Sequence, residues 1–66
     1  MADRLIIRDL PASGFQLHMH TDASGNSIRA ASLKTYSGER VRTLTPYEAA
    51  MADANAQALG LKRISR

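Results

Sequence analysis

Phe15-Gln16-Leu17-His18-Met19-His20-Thr21 is the stretch that decides the fold. Phe15, Leu17, Met19 and Thr21 share one side of an extended chain, and Gln16, His18, His20 and Asp22 share the other. A period of two with one apolar side describes a strand that buries one face and wets the other, as in an antiparallel sheet. On its N-terminal side lies Arg4-Leu5-Ile6-Ile7-Arg8-Asp9-Leu10, rich in branched aliphatic residues and stopped by Pro11, which reads as a first strand. Pro11 to Gly14 is a turn by composition. On the C-terminal side Asp22 to Asn26 supplies a second turn, with Gly25 and Asn26 tolerant of positive φ.

Ser27 to Tyr36 continues as a third strand whose alternation slips, because Ile28 and Ala30 share one side while Ala31 and Leu33 share the other. A bulge near Ala30 and Ala31 brings Ile28 and Leu33 together. After a Ser37-Gly38 turn, Glu39 to Leu44 reads as a fourth strand with Val41 pointing inward. Thr45, Pro46 and Glu48 then stand as N-cap, first helical residue and third helical residue, the strongest local signal in the chain. Tyr47, Ala50, Met51, Ala54 and Ala58 recur at helical spacing and are expected to face the sheet, with Leu17 and Met19 packed against them. Gly60 is placed to cap the helix and Leu61 to fold back on it. Residues 61–66 form either a basic tail or a short closing strand. The expected fold is therefore α+β: one domain over 1–66, a small antiparallel sheet of three to four strands, and one C-terminal helix packed on one face.

A chain of 66 residues buries only about 60% of the surface it exposes when unfolded, so its stability will be modest. It contains no cysteine, which removes disulfides and thiolate metal sites. Small domains without such staples lean on association, so a homodimer or a larger partner is expected. Arg4 and Arg8 interrupt the first apolar run, and no segment approaches the roughly 20 apolar residues of a membrane span. A cytoplasmic protein with no membrane partner is the expectation.

The net charge of +3 is unevenly spread. Residues 23–45 and 61–66 are basic, while the helical segment carries only Glu48 and Asp53. Alternation gathers Gln16, His18, His20, Arg29, Lys34, Arg40 and Arg42 on the sheet face away from the helix. Four fixed cations on a twisted surface suit phosphate oxygens, and β surfaces are one way of entering a DNA groove. The candidate nucleic-acid-binding residues are accordingly Arg29, Lys34, Arg40, Arg42, Lys62 and Arg63. The competing account is a solvated polar face, which every small antiparallel sheet must have.

The pair His18 and His20, followed by Asp22 on the same face, is a weak candidate for a zinc or manganese site. Leu17 to Gly25 resembles the first metal-binding motif of the polymerase-and-histidinol-phosphatase hydrolases, a likeness that implies two metal-ligating histidines and phosphate-ester hydrolysis. It departs where that motif continues to Asp-Gly, since this chain has Gly25-Asn26, and no further histidine follows. Arg8-Asp9-Leu10-Pro11, then strands, then an alanine-rich helix, looks like the arm-type DNA-binding domain of phage integrases. That likeness covers four residues and the order of elements, and no family is assigned from it.

Enzyme chemistry has little support: there is no Cys–His pair, no glycine-rich loop before a helix, and no close carboxylate pair on one helical face. Phe15, Tyr36 and Tyr47 are the only aromatics, two of them expected to be buried, which disfavours RNA recognition by stacking. The expected function is a non-catalytic, cofactor-free module that docks a basic sheet face on nucleic acid or a nucleic-acid-handling protein. The alternative is an inhibitor or adaptor of the phage or plasmid type, binding a protein through an edge strand or the helix.

Overall fold

Five strands and one helix follow one another in the computed structural model, which describes residues 3–65: β1 (Arg4–Leu10), β2 (Phe15–Thr21), β3 (Ile28–Thr35), β4 (Arg40–Leu44), α1 (Pro46–Ala58) and β5 (Arg63–Ser65). The first four strands form an antiparallel meander, and α1 carries the chain back across the sheet so that β5 pairs with β1. The sheet order is β4-β3-β2-β1-β5, all neighbours antiparallel. The α+β expectation stands, with five strands in place of three to four. The closing strand is the added one: Ile64 sits opposite Ile7, and Arg66 lies outside the described residues.

Alternation in β2 sets the core. Leu17 and Met19 are 0% and 1% exposed and lie under Ala49, in a cluster completed by Ile6, Ala31 and Leu44. The register of β3 slips between His20 and Thr21 of its partner, leaving Arg29 as the extra residue. That bulge puts Ile28 on the core side with Ala31 and Leu33, as the broken alternation requires. A second irregularity lies opposite Leu33 and Lys34 and was not expected. It makes Val41 the extra residue of β4, 46% exposed instead of inward, and turns Arg42 to the helix side.

The helix begins as expected. Glu48 N–H donates to Thr45 Oγ1 at 3.1 Å, and Thr45 N–H donates to Glu48 Oε1 at 3.0 Å, closing a capping box. The same Thr45 N–H, with help from the Thr45 hydroxyl and Arg42, holds the Glu48 carboxyl below its ordinary pKa. A carboxyl depressed in the folded state stabilises it above the unfolded pKa and ceases to do so as pH falls through the folded value. The capping box at the N-terminal turn is therefore expected to weaken as pH falls through the depressed Glu48 value. Thr45→Ala removes one half of the box and should lower the melting temperature by about 5 °C. An unchanged thermal midpoint at neutral pH would mean the cap is solvated away. At the other end Gly60, at φ 72°, lets Leu61 N–H reach Ala56 C=O at 3.0 Å and Gly60 N–H reach Gln57 C=O at 3.0 Å.

The rotation of the helix departs from the sequence pattern. Ala49 and Ala56 are buried and Ala52 packs on the core, whereas Tyr47 is 74% and Met51 51% exposed, with Ala50, Ala54 and Ala58 also outward. The cause is Arg8, which sits in the core-facing row of β1 between Ile6 and Leu10 and is 3% exposed. Its Nε and Nη2 both donate to Asp53 Oδ1, at 3.0 and 2.8 Å, and its Nη1 donates to Leu61 C=O at 2.8 Å. A buried guanidinium must be paired, and Glu48 is already committed to the cap. Only a helix turned with Asp53 inward meets that demand. Tyr36 is 55% exposed, so of the three aromatics only Phe15 is partly covered. Among the described residues every buried side-chain polar atom has a partner, and no helix is long and apolar enough to cross a membrane.

Candidate nucleic-acid interface

Register defines the sheet face that α1 leaves open. β2 contributes Gln16, His18 and His20, β3 contributes Ala30, Ser32 and Lys34, and β4 contributes Arg40 and Thr43. Lys34 lies directly opposite Arg40, and Ser32 directly opposite Thr43. With His20 and Ala30 they line an open cleft of about 230 Å³. Across β1 the same face turns apolar, since Leu5, Ile7 and Ile64 follow one another, and Ile7 is only 5% exposed between His18 and Ile64. Between these halves runs a short polar chain. Gln16 Nε2 donates to Asp9 at 3.0 Å, which leaves Gln16 Oε1 to accept from His18 Nε2 at 3.3 Å and so places that ring proton on Nε2.

The six candidate cations do not form one surface. Lys34 and Arg40 are together on the open face, and neither has an ion-pair partner among the described residues. Arg42 stands on the helix side and donates to Glu48 Oε2 at 2.8 Å. Arg29, on the bulge, makes a long 3.4 Å pair with Asp3, exposed on both sides and of little energetic weight. Lys62 precedes β5 and its carbonyl accepts from Asp9 N–H at 3.3 Å. Arg63 lies opposite Arg8 and so faces the helix side, lining with Arg4, Ser24, Asn26 and Ser65 a separate cleft of about 220 Å³. Ser32, Thr43 and Arg4 were missed. Alternation back from Lys34 reaches Ser32, but Thr43 and Arg42 exchange faces at a bulge that no residue type announces.

His18 and His20 share the open face, two residues apart on one strand. Asp22 does not join them, because its Oδ1 accepts from Ser24 Oγ at 2.7 Å, Gly25 N–H at 3.0 Å and Asn26 N–H at 3.2 Å. The Ser24 hydroxyl leads these donors in lowering the Asp22 pKa, as expected of a carboxylate spent on closing a turn. No group of three or more His, Asp or Glu side chains converges among the described residues. Comparison with family models, with curated proteins and with solved structures finds no match for the chain.

Proposed function

We infer that the chain is a non-catalytic binding module whose open sheet face takes phosphate groups of a nucleic acid backbone. One observation carries this reading: Lys34 and Arg40 are held directly opposite each other on adjacent strands, with the Ser32 and Thr43 hydroxyls beside them. Like charges in that position destabilise a sheet. Here no acid of the described residues is paired with either, and Glu39, next to Arg40 in sequence, is exposed. An anion bound between the two cations would relieve the repulsion. Two contacts in place of four make the expected binding weak and not selective for sequence.

Titration against a random-sequence duplex tests it. Two phosphate contacts give a slope of log affinity against log salt near ~−1.8, so a fourfold rise in salt should weaken binding by about tenfold. Lys34→Ala and Arg40→Ala should each remove about one unit of slope, while Arg42→Ala, tied to Glu48, should change it little. A flat titration at low salt overturns the reading.

An adaptor or inhibitor that seats a protein on the helix is the second reading, and the exposure of Tyr47 and Met51 favours it. Edge-strand docking has less support. β4 carries Arg40, Arg42 and a bulge along its free edge, devices that oppose strand addition, and β5 is three residues long.

A further inference from the structure

The outward face of α1 is made of Tyr47, Met51, Ala54 and Ala58, diametrically opposite the Ala49, Ala52 and Ala56 side that meets the sheet. It carries no free charge: the two acids of the helix, Glu48 and Asp53, are held by Arg42 and Arg8. An exposed apolar stripe of this kind, flanked on the same helix by the polar Glu48, Asn55 and Gln57, marks a contact surface.

The order of side-chain sizes along this face identifies the cover. Both large residues, Tyr47 and Met51, lie in the N-terminal half, and both small ones, Ala54 and Ala58, in the C-terminal half. Lay a second copy of the helix antiparallel across the first, with the two-fold axis between positions 52 and 53. Tyr47 then meets Ala58 of the other copy, and Met51 meets Ala54. Each contact is large against small, and each is made twice, as an isologous interface requires. A parallel pairing would instead set tyrosine beside tyrosine and leave alanine facing alanine. We propose that the chain forms a two-fold dimer through this antiparallel pairing of α1.

Charge agrees with it. Neutral faces bring two chains of net charge +3 together without opposing like charges at the contact, and a charged peptide would find nothing there to pair with. Antiparallel helix dipoles also attract. Thirteen residues span about 20 Å, so the contact falls below the roughly 1,200 Å² of a standard interface, and the dimer is weak.

Sedimentation velocity on the intact chain over a concentration series reaching about 1 mM should show a reversible monomer–dimer equilibrium, in the range open to so small an interface. Met51→Glu and Ala54→Lys should each weaken self-association by at least about tenfold, with the helical circular dichroism of the wild type retained because both positions are exposed. Mixing the two variants should restore a dimer, since the antiparallel register sets Glu at 51 against Lys at 54. Lys34→Ala, on the opposite surface, should leave the dimer unchanged, which separates this test from the nucleic-acid reading. A wild type that stays monomeric throughout overturns the proposal. A dimer indifferent to Met51→Glu, or variants that fail to pair on mixing, overturn it equally.

Discussion

Asp53→Ala is expected to strip the protein of much or all of its stability at room temperature. Arg8 is 3% exposed, and among the described residues its side chain has two acceptors, the Asp53 carboxylate and the Leu61 carbonyl. Without Asp53 the guanidinium stays buried with a single neutral acceptor. Breaking a buried pair from one side costs about 3–5 kcal/mol, because the charge left behind has lost both water and counter-ion. A chain of 66 residues has a total stability of about 3–10 kcal/mol, so one substitution removes much or all of it. Arg8→Ala should also destabilise, but Asp53, with 18% of its side chain exposed, can recover water. The double variant Arg8→Met/Asp53→Leu should refold, since exchanging a whole buried pair for apolar residues of similar volume is often neutral. Urea unfolding of the four proteins checks the ranking. Equal midpoints for wild type and Asp53→Ala would mean that the pair is effectively solvated and does not orient the helix.

Leu17→Ala should cost about 3–5 kcal/mol, the upper part of the range for a buried leucine. The spread in such costs reflects how well a site can collapse, and this one has little to collapse with. Leu17 is fully buried on the central strand, with Arg8 and Leu33 as its cross-strand neighbours. Above it the helix offers only alanines, Ala49 and Ala52, neither long enough to swing into the space. A lower denaturation midpoint with an unchanged slope is the expected signature. A loss below about 1 kcal/mol would show that the core repacks freely. Met51→Asp, which the hydrophobic periodicity marks as a core disruption, should leave the fold intact because Met51 is 51% exposed.

Local chemistry made much of the fold legible. Strand β2 follows from a period of two, and the turns at Pro11 and Gly38 from residues suited to them. The bulge of β3 follows from Ile28 and Leu33 standing at odd spacing, and its observed position at Arg29 is within two residues of the expected one. The helix start follows from Thr45, Pro46 and Glu48, whose hydrogen bonds stay within four residues of chain. The candidate site was less legible. Lys34 and Arg40 were found as members of a face, but their direct apposition depends on the register of two strands, and the loss of Arg42 from that face depends on one extra residue at Val41.

The sequence by itself determined, to within a residue or two, where the first four strands and the helix begin, and which side of β2 is buried, because caps, turns and strand alternation are set by neighbours a few positions apart. Tertiary structure alone decided which side of α1 turns inward. With alanines around most of its circumference, the helix has almost no hydrophobic preference for one orientation, so the choice passes to the strongest directional contact available. That contact is Arg8 with Asp53, 45 residues apart in sequence and 2.8 Å apart in space. The same long-range closure made β5 a strand: three residues with one large aliphatic side chain have little reason to extend alone, and gain one when the edge of β1 offers unpaired backbone groups.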